Sequence, residues 1–191
     1  MRYLIVLGSP DLDGISLSVM KEVARGAQDG GADVQTLALD GIGPCRGCND
    51  GWGECRSEHL CAYGKDGFDE AQEQVRQMDA FCVITPVYWE DASDVLTNFL
   101  ERLRRCELGQ IGALASKPVL FVAFPGGADN SLLSCLERMD KFCRNTGAVI
   151  FDCLSVNPWN SDYVKLSAYS AGKVMAYGRK AVETATRKQL K

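Results

Sequence analysis

The pattern that most constrains this chain is an alternation of short β-rich apolar runs with longer stretches of helical period. The first run, residues 2–7, is almost wholly apolar, as a strand covered on both faces must be. Residues 15–28 then place Ile15, Val19, Val23, Ala24 and Ala27 at three-to-four spacing, and Gly30-Gly31 closes that helix. The alternation continues with a strand at 33–39, a helix near 68–77 and a strand at 80–85 that Pro86 should stop. A helix capped by Ser93 follows, running to about Cys106. A strand at 118–124 leads to a helix that Asp129 or Asn130 would cap, reaching Thr146. The last elements are a strand at 149–156 and a helix at about 165–187, with breaks expected near Gly172 or Gly178. Five strands separated by helices predict a doubly wound five-stranded parallel α/β sheet with helices on both faces. The 191 residues fit one domain, 1–191.

Composition narrows the function classes. Hydrophobic residues make up 46% and charged residues 24%, an ordinary globular balance with no run long enough to span a membrane. The net charge is −4 and no basic stripe exists, which argues against nucleic-acid binding. Arg179, Lys180, Arg187, Lys188 and Lys191 read as the solvated face of the last helix. The apolar start runs directly into Gly8-Ser9-Pro10, so it reads as a strand and not an export signal. A cytoplasmic location is expected.

In open α/β sheets, ligands sit outside the carboxyl ends of strands, where the strand order switches. Three turns at that edge stand out. After the first strand, Gly8-Ser9 and the segment Asp13-Gly14-Ile15-Ser16 offer hydroxyls, glycines and a helix N-terminus, a combination that suits a phosphate. A serine-capped β-to-α turn is the alternative. After the third strand, Pro86-Val87-Tyr88-Trp89 presents two aromatics that could wall a flat ring, or simply pack. After the fourth, Pro125-Gly126-Gly127 allows close backbone approach, or only starts a helix. Asp11, Asp13, Glu90 and Asp91 set carboxylates beside these turns. One such charge 4 Å from a phosphate costs on the order of 1 kcal/mol even in water.

Residues 41–65 have no clear period and hold Cys45, Cys48, Cys55 and Cys61, four of the nine cysteines. Four soft ligands in so short a span suit a zinc ion or an iron–sulfur cluster, with His59 a possible substitute. Free or disulfide-linked thiols are the alternative. Cys82, Cys106, Cys135, Cys143 and Cys153 read as packing residues. His59 is the only histidine, and nothing around it suggests a nucleophile–base pair. Trp159, beside Pro158 and Asn160, would shape a pocket rim or pack on the surface.

The Gly8-Ser9-Pro10 turn with Gly14 and Ser16, the stretch from Thr85-Pro86-Val87-Tyr88 through Asn98-Phe99-Leu100-Glu101-Arg102, and Gly126-Gly127 together resemble the NAD(P)H-dependent FMN reductase family of flavodoxin-like proteins. The resemblance runs over nearly the whole chain. It implies an FMN-dependent oxidoreductase that takes hydride from NAD(P)H and passes electrons to a flavin, a quinone or a ferredoxin-like protein. Ser9 and residues 13–16 would hold the FMN phosphate; residues 86–89 and 125–127 would frame the isoalloxazine. It also implies a homodimer or homotetramer, paired through the helix after the third strand. Iron–sulfur flavoproteins of the family carry four cysteines at this place, but here the third comes four residues later than in their tight run. A [4Fe–4S] electron carrier is therefore a second reading, and a non-enzymatic scaffold with a zinc or thiol loop is a third.

Overall fold

The computed structural model describes residues 1–9, 14–108, 113–125 and 132–178. Five strands, β1 (Arg2–Leu7), β2 (Asp33–Ala38), β3 (Ala80–Tyr88), β5 (Pro118–Pro125) and β6 (Val149–Ser155), form a parallel sheet in the order β2-β1-β3-β5-β6. A two-residue strand β4 (Asp91–Ala92) pairs antiparallel with β3. The expected five-stranded sheet is thus a six-stranded one whose extra member is a hairpin return. The apolar start of the chain is β1, paired with β2 on one side and β3 on the other.

The helices are α1 (Gly14–Asp29), α2 (Glu54–Ser57), α3 (Phe68–Gln77), α4 (Asp94–Glu107), α5 (Leu132–Thr146) and α6 (Ser161–Tyr177). Alternate strand residues feed two cores. Leu4, Val6, Phe81, Val83, Val119 and Phe121 meet α3, α4 and α5 on one face. Tyr3, Ile5, Cys82, Ile84, Leu120 and Val122 meet α1 and α6 on the other. Both faces of the central strands are therefore apolar, which is why those strands read as unbroken hydrophobic runs.

Three boundaries differ from the sequence expectation. β3 runs through Pro86 to Tyr88, because proline removes one N–H but fits an extended backbone. α6 begins four residues early and passes through Gly172 without a break. A Cβ there would lie 2.4 Å from the Val23 carbonyl oxygen, and one at Gly26 would lie 2.0 Å from that of Tyr169. These glycines let α1 and α6 touch backbone to backbone, and the chain leaves the helix at Gly178 with φ +78°. The basic C-terminal residues 179–191 lie outside the described residues. No described helix is long and apolar enough to cross a membrane.

Candidate functional site

The strand order reverses at β1/β3, and this fixes where a ligand edge belongs. Gly8 is the pivot of that edge. Its N–H donates to the Ile84 carbonyl at 2.7 Å. A Cβ on it would meet Ile84 O at 3.0 Å and the Cβ atoms of Thr85 and Leu96 at 3.1 Å, so a side chain here would press on the β3 backbone and on α4. The Ser93 hydroxyl donates to the Gly8 carbonyl and also caps α4 by accepting from Leu96 N–H. Thr85 Oγ1 accepts from the Ser93 N–H at 3.1 Å. The turns after β1 and β3 are thereby tied to one helix terminus.

Ser9 is half-buried, and Gly14, Ile15 and Ser16 open α1. The first turn of α1 carries no acidic side chain, and a Cβ at Gly14 (φ +40°) would meet nothing within 4 Å. Among the described residues, nothing crowds the start of this helix. Pro10, Asp11, Asp13, Gly126 and Gly127 lie outside the described residues. Pro125 ends β5 opposite Val87.

Pro86 and Val87 sit within β3, and Tyr88 leads into a two-residue turn in which Trp89 and Glu90 both have positive φ, +49° and +65°. This turn holds Trp89 98% exposed and Tyr88 60% exposed at the sheet edge. The hairpin carboxylates face elsewhere: Arg138 of α5 donates to Asp91 at 2.6 Å. Glu90 and Asp91 help line a cavity of about 420 Å³ between the hairpin, α4 and α5. Trp159 is exposed, with its backbone N–H donating to Asn157 Oδ1.

The structure brings Cys45, Cys48, Cys55 and Cys61 around one small pocket. Its wall comes from α4, which contributes Arg102, Arg105 and Cys106. Arg102 binds both oxygens of Asp66 at 2.7 and 3.0 Å, the carbonyls of Gly43 and Tyr63, and the Cys61 sulfur at 3.4 Å. Arg105 donates to Glu101 and to the Gly51 carbonyl and lies 5.0 Å from the Trp52 ring. Burial pushes the Asp66 carboxyl up, but hydrogen bonds from Arg102 and Gly43 outweigh it and leave it below the usual value.

The surroundings of this loop bear on three expectations. His59 does not line the pocket: its Nδ1 is bonded to the Cys106 carbonyl, and its own carbonyl accepts from Gln72 and Arg76. Cys106 is buried in the core, as expected of a packing residue, and also lines the same pocket. Burial first, then Cys61 and Cys55, push its thiol up to about 12, so it stays protonated at neutral pH. Nor do the thiols converge on one point: no group of three or more His, Cys, Asp or Glu among the described residues is placed to hold a metal ion. A zinc ion about 2.3 Å from each sulfur would need the thiols within about 4 Å of one another. Two guanidiniums in the wall also disfavour a bare dication.

Strand order and ligand edge together define a flavodoxin-like α/β protein. The model of the NADPH-dependent FMN reductase family matches residues 1–161, and the chain belongs to that family. An iron-sulfur flavoprotein of Methanocaldococcus jannaschii is 25% identical over 111 residues, 57% of this chain and 55% of that protein. The chain spans about half the length of the curated relatives it matches. An NAD(P)H:quinone oxidoreductase from Methanothermobacter marburgensis superposes with a TM-score of 0.66 at 15% identity, covering 91% of this chain and 94% of that one. A flavodoxin from the domain Archaea gives 0.58 at 11% identity, covering 92% and 96%. At these identities the structural likeness is one of fold.

Proposed function

We propose that this protein is a flavin oxidoreductase holding FMN above the carboxyl ends of β1, β3 and β5. The observation that carries this reading is the stitching of the Gly8 turn, the β3 turn and the α4 terminus at the strand-order switch. The residues fit the group. The N-terminus of α1, with Ser9, Gly14, Ile15 and Ser16, would hold the phosphate alongside Asp13, and the dipole of a 16-residue helix favours an anion there. Residues 86–89 and 125–127 would frame the ring, with Tyr88 and Trp89 offering exposed aromatic faces. When bound, FMN would accept hydride from NAD(P)H and release electrons to a flavin, quinone or protein acceptor. The side chains' work is binding and orientation; hydride transfer requires no acid, base or nucleophile from them. A second copy of the chain, in a homodimer or homotetramer, would cover the exposed aromatics. Titrating the purified protein with FMN should quench flavin fluorescence, and anaerobic NADPH or NADH should bleach the bound flavin. Protein that takes up no FMN contradicts the reading.

The thiol pocket favours a second redox centre, a [4Fe–4S] cluster on Cys45, Cys48, Cys55 and Cys61. A cluster asks each thiolate to take a different iron, so the sulfurs belong around a space and not at a point. Four thiols around one pocket, with Arg102 and Arg105 in its wall, match an anionic group. The relative named as an iron-sulfur flavoprotein points the same way. Such a cluster would supply one-electron steps, with a ferredoxin-like protein as partner. Cys48→Ser should abolish iron uptake; retained iron contradicts this ligand set.

A further inference from the structure

Arg102 is a cation only 2% exposed, on a helix whose other basic residues reach solvent. Its guanidinium lies 4.3 Å from the centre of the Phe68 ring and is gripped by both oxygens of Asp66. The remaining bonds go to the thiol loop: the carbonyls of Gly43 and Tyr63 and the Cys61 sulfur at 3.4 Å. Its Nε is buried and finds no acceptor among the described residues, although the side chain lines the thiol pocket. A planar fork stacked on one side and bonded at both ends cannot swing, so its N–H toward Cys61 is fixed in direction.

We propose that Arg102 is a positioning residue that sets the redox potential of the centre held by the thiol pocket, through its N–H···S bond to Cys61. The proposal rests on the iron–sulfur reading of that pocket. A hydrogen bond to a ligand sulfur stabilises the more negative, reduced cluster more than the oxidised one, so it raises the potential. The step concerned adds one electron and makes or breaks no bond. Asp66 completes the device by holding the fork in place, and the stack on Phe68 ties it to α3.

The test compares the full-length wild-type protein with Arg102→Lys and Asp66→Asn, all reconstituted anaerobically with iron and sulfide and loaded with FMN. Iron, sulfide and FMN are quantified, and the cluster is titrated potentiometrically with dithionite. Arg102→Lys keeps the charge but loses the fork. It should lower the potential, with about a tenfold shift in the one-electron equilibrium, ~59 mV. Asp66→Asn keeps every Arg102 donor but loosens the grip, and should shift the potential the same way by less. FMN content should not change in either. Variants that keep iron and sulfide at the wild-type potential would overturn the role of Arg102 and leave the cluster reading standing. Wild-type protein that takes up no iron and sulfide would overturn the cluster reading and the Arg102 proposal with it. If Arg102→Lys does not fold, Asp66→Asn decides alone.

Discussion

The carboxyl edge of the sheet is assembled from backbone, whereas the thiol pocket is assembled from side chains. At the edge, a glycine whose Cβ would crowd three neighbours, a two-residue hairpin and the start of α1 do the positioning. In the pocket, a buried guanidinium, a carboxylate and an aromatic ring hold an irregular loop that has almost no secondary structure of its own. α4 serves both: Ser93 at its start is bonded to Gly8, and Arg102, about 14 Å along the axis, is bonded to Cys61. Each region is therefore vulnerable to a different kind of change. A backbone site fails when a Cβ is added, and a side-chain site fails when a charge is removed.

Gly8→Val attacks the first region most directly. With three atoms already at 3.0–3.1 Å from the nearest branch point, we expect a loss of about 2–3 kcal/mol in urea unfolding. FMN uptake should fall with it, while iron uptake should be retained in the folded fraction. Acid should separate the regions in the opposite sense. The folded Asp66 carboxyl titrates below its unfolded value, so its contribution is full above about pH 4 and drains away as pH falls through the lower folded value. Trp52, which stacks on Arg105, should report this loosening by fluorescence, and Asp66→Asn should remove the acid step.

Ser93→Ala should cost about 1 kcal/mol as a lost cap and weaken FMN binding, because the Gly8 carbonyl loses its donor. Smallest is the effect of Trp89→Ala on stability, within about 0.5 kcal/mol for a side chain 98% exposed. Its FMN affinity should nonetheless fall roughly two- to tenfold if the indole stacks on the ring.

The same contrast decides how much was legible in the sequence. The alternation of strands and helices and the two-sided cores follow from hydrophobic period, and Ser93 marked the start of α4, because backbone requirements leave marks in residue type. The order of the strands did not show in the sequence, and Pro86 suggested a strand end where β3 continues to Tyr88. The β3–β4 hairpin left none: a turn with two positive φ values usually announces itself with Asn or Gly, and here Trp89 and Glu90 occupy it. The four cysteines of the loop announced themselves by spacing. Their surroundings did not. Arg102, Arg105 and Cys106 sit in a helix whose run Glu101 to Glu107 looks like any solvated helix end, and only tertiary packing places them against residues 43–66. The sequence likewise offered His59 as a ligand, because its bond to the Cys106 carbonyl depends on contact between distant segments.

FMN at the sheet edge and a cluster in the thiol pocket of the same chain would each leave its own absorption. The most direct measurement is an absorption spectrum of anaerobically purified protein with flavin, iron and sulfide quantified. The expected result is flavin bands near a stoichiometry of about one per chain, over broad absorption near 400 nm from about four irons. A colourless protein that takes up neither added FMN nor iron and sulfide would contradict it.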